Sequence, residues 1–376
     1  MKSNEWIIKY RSLRKTRKFI KNPGVFFRDF LNKKYPVITN ELMCHKYDES
    51  ILLYHDLMME SKLVFDKPID IVYTWVNDKD PEWIKKCEYY KNRSGNYGKY
   101  ALDVARFSNH NELYYSIKSV MKYIPWVRNI YIVTDQQTPE WIMEFSKAIL
   151  VDHKEIIPNH YLPTFNSHVI EAFLYKIEGL SENFIYFNDD VFVARDLPVG
   201  HFYKSNGLSS LFISNKSIND MVHRGVVSPT LSASVIGLNL LKRDYGVYID
   251  SPLVHTYVPL KKSMFKKVWS KYGNEIESFL PNKFRTDSDL NLATFFVPWY
   301  SYIHGHSTLA RDICYYFNIR SLAANNYYRM LKAAKGSPGC PHSFCANDFT
   351  ITHPAVENYH TLLISMLNYY FEDDLL

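Results

Sequence analysis

The sequence predicts an α/β fold: a mostly parallel central sheet flanked by helices, with a basic helical N-terminal arm and a helical C-terminal region. Three observations carry this. Residues 69–76 (I-D-I-V-Y-T-W-V), 128–135 (R-N-I-Y-I-V-T-D) and 183–192 (N-F-I-Y-F-N-D-D-V-F) are short, largely apolar runs rich in β-branched and aromatic residues. Strands buried on both faces read this way. Between them lie stretches whose apolar residues recur at helical spacing. Strand, helix, strand, helix, strand is the rhythm of a parallel sheet with helices on its faces. Apolar residues at 47% and charged residues at 22% exclude wholesale disorder and fit a packed protein. At roughly 150 residues per domain, 376 residues hold two or three domains or one large domain with insertions.

Taken in order, residues 1–36 hold 11 Lys/Arg against Glu5 and Asp29, a local balance of +9. The whole chain is +6, so residues 37–376 carry −3. The basic character belongs to the arm, which argues against a body that coats nucleic acid. Trp6, Ile7, Tyr10 and Leu13 have helical spacing among basic residues, and Pro23-Gly24 interrupts the pattern before Phe26, Phe27, Phe30 and Leu31. Such an arm suits an anionic membrane surface, or packs on its own domain. Residues 37–66 read as a helical connector. Leu113, Ile117, Val120 and Ile124 predict a helix over 112–124. Ile170, Phe173, Leu174 and Ile177 predict another over 167–179, stopped by Gly179. Further helices are expected at 259–279 and 286–298, with 301–376 mostly helical. The expected division is 1–66 arm and connector, 67–350 catalytic domain, and 351–376 a helical tail packed on it.

No window of about 18 uninterrupted apolar residues predicts a membrane span, and the N-terminus lacks the apolar core of a secretory signal. Five cysteines in a long chain predict reduced thiols rather than a disulfide framework. Cys340, His342 and Cys345 in C-P-H-S-F-C form a small cluster that would serve a structural zinc only with a fourth ligand, which the sequence does not place; plain reduced thiols are the simpler reading.

Each predicted strand ends in carboxylates: Asp78, Asp135 and the pair Asp189-Asp190. Open parallel sheets bind ligands beyond the carboxyl ends of their strands. Asn188, Asp189 and Asp190 are therefore candidate ligands for Mg²⁺ or Mn²⁺, which take oxygen donors; the same residue types also punctuate turns. Asp70, Tyr73, Trp75, Asn77 and Asp78 are a candidate base or ribose pocket, or else core aromatics and an Asp-Pro turn. Arg106, Asn109, Asn111 and Glu112 lead into a helix, where an arginine and backbone N–H groups favour phosphate and an asparagine can simply cap. His255 stands in L-V-H-T-Y-V-P. Arg285, Asp287 and Asp289 open the predicted 286–298 helix: the arginine suits phosphate and Asp289 suits orienting a histidine or binding metal.

The blocks I-D-I-V-Y-T-W-V-N-D-K-D-P at 69–81, R-F-S-N-H-N-E-L-Y-Y-S-I-K-S-V at 106–120, L-P-T-F-N-S-H-V-I-E at 162–171 and F-I-Y-F-N-D-D-V-F at 184–192 resemble the first two conserved regions of the Stealth proteins. His255 with K-F-R-T-D-S-D at 283–289 resembles the third region, and C-A-N-D at 345–348 the fourth. Ser108-Asn109-His110 and Phe349 depart from the family pattern. The resemblance implies a Rossmann-like, nucleotide-sugar-transferase-like fold. It implies hexose-1-phosphoryl transfer to a glycan hydroxyl from a nucleoside-diphosphate sugar, UDP-linked by expectation, with release of UMP. It also implies that the essential His and Arg fall on His255 and Arg285, that the acidic pair falls on Asp189 and Asp190, and that Arg224 matches an arginine upstream of the histidine. Asp289, Arg106 and Glu112 complete the expected catalytic set. The expected partners are a nucleotide-sugar donor, a glycan acceptor and, through residues 1–36, the inner face of a bacterial inner membrane; the expected location is the cytoplasm, without nucleic acid. The alternatives are a metal-dependent glycosyltransferase that releases UDP, and a non-catalytic membrane- or nucleic-acid-binding protein using the arm.

Overall fold

The computed structural model describes residues 44–349 except 94–96, 99–100, 104 and 106, residues 356–372, and a few positions between 16 and 31. Most of the basic arm, and the site candidate Arg106, lie outside the described residues.

Helix α1 (Lys46–Glu60) occupies the connector. Strand β1 (Ile69–Thr74) follows, then α2 (Pro81–Lys91), whose N-terminal N–H groups are received by the Asp80 side chain. Helix α3 (Glu112–Tyr123), β2 (Ile130–Thr134) and β3 (Ala148–Asp152) come next. Helix α4 (Ser167–Ala172) is shorter than the 167–179 periodicity predicts: Phe173 leaves helical geometry and a tight turn covers Leu174–Lys176. Gly179 ends the segment at φ 72°, as a stop signal should.

The run at 183–192 is two strands, not one. β4 (Asn183–Asn188) stays in the central sheet, while β5 (Val191–Val193) enters another. Asp189 and Asp190 are the joint between them. β6 (Ser209–Phe212) and α5 (Pro229–Tyr245) precede β7 (Val258–Lys261) and α6 (Lys262–Phe279). The predicted 259–279 helix thus starts at 262, because its first residues pair antiparallel with β4 at the sheet edge, where Pro259 is tolerated. The predicted 286–298 helix is also corrected. Residues 286–291 form a turn, Leu292–Phe296 a widened turn, and α7 spans Val297–Ile303. The turn wins because the Asp289 carboxylate draws in the Thr286 N–H at 3.0 Å and the Thr286 hydroxyl at 2.7 Å.

The C-terminal region is not mostly helical. β8 (Ser307–Ala310), β9 (Cys314–Asn318), α8 (Ala323–Ala334), β10 (Ser343–Asn347) and α9 (Tyr359–Phe371) alternate there. The strands satisfy their backbone groups in two small sheets, β5-β10-β9 and β6-β8.

The central sheet has the order β3-β2-β1-β4-β7, with all neighbours parallel except β4 and β7. Apolar residues of α6 and α7 pack on one face, and those of α3 on the other. Helix α9 packs Leu363, Met366, Leu367 and Tyr370 with the β5-β10-β9 sheet. No described helix is long and apolar enough to cross a membrane. Register brings Thr74 opposite both Val133 and Asn188, so the β1, β2 and β4 ends open on one rim.

Candidate functional site

That rim holds a cavity of about 280 Å³. Trp75 and Val76 reach it from the end of β1, Asp135 from β2, and Asn188, Asp189 and Asp190 from β4. Glu112 reaches it from the first turn of α3, Ser167 from α4, Thr230 from α5, and His255, Arg285, Asn347 and Asp348 from later segments. Trp75, Trp83, Phe107 and Phe165 add an apolar aromatic lining suited to a planar ring.

The acidic side is crowded. Burial and then the neighbouring Asp190 carboxylate raise the Asp189 pKa to about 7. Burial and Asp189 push Glu112 well above the usual carboxylate range. Glu112 Oε2 accepts the His110 N–H at 2.6 Å, which fixes the entry to α3. Asp190 Oδ2 accepts from Asn347 Nδ2 at 2.8 Å and from the Cys345 thiol at 3.2 Å. Its other oxygen, Oδ1, and Asn347 Oδ1 are buried with no hydrogen-bond partner among the described residues. Buried acceptors without partners are rare in native proteins and call for a ligand or ion. Three carboxylates that repel one another, beside two unsatisfied oxygens, are a donor set that fits a hard divalent cation. The residues present therefore fit a metal.

His255 faces the cavity. Its backbone is fixed by the Cys314 thiol, which donates to the His255 carbonyl at 3.3 Å, and by Thr256, whose hydroxyl lies 2.7 Å from that of Ser343 on β10. Its ring meets Tyr316 edge-on, with centroids 5.1 Å apart. Surrounding protein lowers its pKa, against the pull of Asp190, so the imidazole is neutral at neutral pH.

Arg285 donates from Nε to Ser167 Oγ at 2.9 Å and from Nη1 to Thr230 Oγ1 at 3.1 Å; Nη2 also meets Ser167 Oγ. Asp289 does not line the cavity. Fully buried, it accepts from Asn166 Nδ2 at 2.8 Å, Asn282 Nδ2 at 3.0 Å and the Thr286 groups, with His168 Nδ1 at 3.1 Å. Burial opposes its charge, yet these donors hold its pKa below the carboxylate norm. It is the knot of the turn that presents Arg285.

Other sequence candidates stand apart from the cavity. Asp70, near the start of β1, receives Arg128 through Nε at 2.9 Å and Nη2 at 2.6 Å, and the Ser181 N–H at 2.7 Å. Tyr73 is fully buried, its hydroxyl 2.8 Å from Ser116 Oγ. Both were nucleotide-pocket candidates. Asp70 is a structural ion pair at the far end of the strand, and Tyr73 is a core residue. Asn77 exchanges backbone hydrogen bonds with Gln137, Asp78 Oδ1 accepts the Asn109 N–H, and Asn109 Oδ1 accepts the Asn111 N–H. Asn111 sits at φ 69° before α3 and makes no side-chain cap; its Oδ1 takes Trp141 Nε1 instead. Arg224 is exposed beyond the Ile218–His223 helix, with Nε donating to the Asp220 carbonyl. The zinc reading fails as well. Cys340 turns to the Ala194 carbonyl, His342 Nδ1 accepts the Ile313 N–H, and Cys345 turns to Asp190, so the three do not share a point.

Sequence reasoning missed the side chains that close the cavity from the second sheet. Asn347 and Asp348 lie in C-A-N-D, a block visible in the sequence, but nothing local ties that block to Asp190. Asp348 is steadied by Arg320, at 2.7 Å from Nη2, and by His110 Nε2 at 3.1 Å. Glu171 was also missed. It is buried one helical turn beyond Ser167, with Tyr186 Oη 3.3 Å from Oε1 and Oε2 without a hydrogen-bond partner among the described residues. Burial, only partly offset by Arg285, raises its pKa to about 7.

Family profiles match the chain as Stealth protein conserved region 1 over residues 67–95 and conserved region 2 over residues 106–211. The chain is 55% identical over 362 residues to the capsular polysaccharide phosphotransferase LcbA of Aeromonas hydrophila, covering 96% of this chain and 100% of that one. It is 51% identical to the capsular polysaccharide phosphotransferase fcs1 of Haemophilus influenzae, covering 96% and 100% respectively. An exopolysaccharide phosphotransferase of Streptomyces coelicolor is 33% identical over 81% of this chain and 50% of its own length. Among solved structures, the galactosyltransferase LgtC bound to donor and acceptor sugar analogs covers 80% of this chain and 96% of its own at 9% identity, with a TM-score of 0.40. That likeness is too loose to bear on the site.

Proposed function

Because the chain belongs to the Stealth family, and relatives matching it over nearly their whole length are named capsular polysaccharide phosphotransferases, we propose that it transfers a sugar-1-phosphate from a nucleoside-diphosphate sugar to a glycan hydroxyl. The donor is UDP-linked and UMP leaves. The product is a phosphodiester-linked capsular or surface polysaccharide. The acceptor oxygen attacks the β-phosphorus, the phosphoanhydride bond breaks, and the sugar C1–O bond is untouched, so the anomeric configuration is kept.

Phosphoryl transfer asks a protein mainly for in-line positioning and for neutralising charge. His255, neutral and open to the cavity, accepts the acceptor hydroxyl proton as attack proceeds. Arg285, steadied by Ser167 and Thr230, holds phosphate oxygens. Asp189 and Asp190, with Asn347 Oδ1, would hold Mg²⁺. That ion supplies charge neutralisation on the diphosphate when bound. Trp75 and the neighbouring aromatics receive the nucleoside, and Glu112 shapes the acidic wall. Residues 67–350 form the catalytic unit. The enzyme works in the cytoplasm, and residues 1–36 draw it to the inner face of the inner membrane through their +9 balance.

The observation that carries this reading is the convergence of His255, Arg285, Asp189 and Asp190 on one cavity. The test is to incubate the purified protein with a panel of sugar nucleotides and Mg²⁺ and identify the nucleotide released. A nucleoside monophosphate, with a diester signal in the phosphorus NMR spectrum of the product, supports it. A nucleoside diphosphate means glycosyl transfer instead.

A further inference from the structure

We propose that Asp190, His255 and Cys345 form a second cation site, selective for a thiophilic divalent ion of the zinc class, whose occupation switches the pocket off. One donor atom from each of the three lies within 4.8 Å of the other two. They come from three separate segments: the joint after β4, the stretch before β7, and strand β10. Zinc binds sulfur at about 2.3 Å and nitrogen or oxygen at about 2.0–2.2 Å, so tetrahedral donors sit roughly 3.3–3.7 Å apart. Cys345 Sγ and Asp190 Oδ2 are already 3.2 Å apart. Only a modest closing movement of the His255 ring, which is exposed to the cavity, completes the trio. Asp190 and His255 line the cavity, so water can reach the fourth position from that side.

The donor chemistry separates this site from the magnesium site. Mg²⁺ prefers oxygens and a near-octahedral shell, and it gains little from a thiol or an imidazole. Zinc, with its affinity for sulfur and nitrogen, favours this mixed set. Asp190 Oδ1 is buried without a hydrogen-bond partner among the described residues, so this carboxylate can coordinate either ion, but only one at a time. Cys345 at present gives its thiol proton to Asp190. On binding, that proton leaves to solvent, a sulfur–metal bond replaces the S–H bond, and His255 contributes its lone pair with no change in oxidation state. The ring that serves as base is thereby consumed, and Asp190 is withdrawn from the magnesium set. The inhibitory consequence rests on the proposed function; binding itself does not.

The full chain, stripped with a chelator, is titrated with Zn²⁺ and separately with Co²⁺, in a Cys44→Ser/Cys87→Ser background that removes the two cysteines not fully buried. The expected result is one tight Zn²⁺ equivalent and a thiolate-to-cobalt charge-transfer absorption. Cys345→Ser abolishes that band, and both Cys345→Ser and His255→Ala weaken Zn²⁺ by roughly 10–100-fold or more. With saturating Mg²⁺, Zn²⁺ stops turnover and a chelator restores it. The proposal falls if the Co²⁺ protein lacks the band, or if Cys345→Ser binds Zn²⁺ as tightly as its parent. Should Cys345→Ser not fold, the parent spectrum and the His255→Ala titration decide. A protein that binds zinc as described yet turns over no sugar nucleotide keeps the zinc site and removes both the proposed function and the inhibition that rests on it.

Discussion

Arg285 and Ser167 lie 118 positions apart in the chain, yet the guanidinium grips the Ser167 hydroxyl through Nε at 2.9 Å and through Nη2. Ser167 opens α4, so the cation is aimed by the first residue of a helix lodged against the sheet. Ser167→Ala removes the grip and keeps the charge. Turnover should fall by roughly 10-fold or more, since a misplacement near 1 Å can cost about 10²-fold. Arg285→Lys, which loses the fork, should fall further. Steady-state kinetics with the donor check both; equal rates for parent and Ser167→Ala refute the positioning role.

Asp289→Ala should unfold the protein more readily by about 3–5 kcal/mol, because it strips the counter-charge and acceptor from a buried knot. Urea denaturation followed by circular dichroism measures this. Asp289→Asn should lose less. If Asp289→Ala matches the parent in stability, the knot is not what holds the 284–291 turn.

His255→Ala should keep its fold and lose about 10²–10⁴-fold in turnover, the usual contribution of a positioned base. The ring faces the cavity rather than the core, so its removal opens no interior void. A variant that retains the parent rate ends the assignment of His255.

Removal of divalent ions should stop turnover, and added Mg²⁺ should restore it. Asp189→Asn should raise the Mg²⁺ concentration needed or abolish activity. Assays across a magnesium series, with and without chelator, give the answer. Full activity in the presence of chelator contradicts the metal assignment.

Glu171 gives a prediction in pH. Its folded pKa is about 7 against a reference of 4.5, so the folded protein holds a proton that the unfolded chain has lost. Stability therefore declines as pH rises from 4.5 towards 7, by about 3 kcal/mol from this group alone, and the decline stops above pH 7. Glu171→Gln cannot ionise and should lack that share of the slope. Melting temperatures of parent and variant across pH 4.5–8 should converge at the acid end and separate at the neutral end. Parallel curves would show that the carboxyl is not protonated in the folded state.

The central sheet was legible because residues 69–74, 130–134 and 183–188 are buried on both faces and carry almost no polar interruption. β3 carries no clear signal because it lies at the sheet edge with mixed burial, and β9 and β10 because they pair with each other and with the distant β5 in a separate small sheet. Residue type and the family blocks point to the strand-end carboxylates Asp189 and Asp190, to His255 and to Arg285, and the fold brings these residues to one cavity. Asp70 and Tyr73 misled because alternation along a strand does not tell a pocket from a core. Asn347 and Asp348 were overlooked because their role rests on register: Cys345 pairs with Val191, which carries the C-A-N-D block alongside Asp190. No local pattern encodes a pairing over 150 positions.

The Asp189-Asp190 joint belongs to two sheets at once, and one of them is closed by β10, close to the end of the chain. During synthesis, the β1-β2-β4 layer can assemble from the first half of the polypeptide. The carboxylates then wait for β10, the last strand among the described residues. A chain that stops before residue 343 therefore keeps the central-sheet rim and lacks Asn347 and Asp348, the side chains that close the cavity from β10.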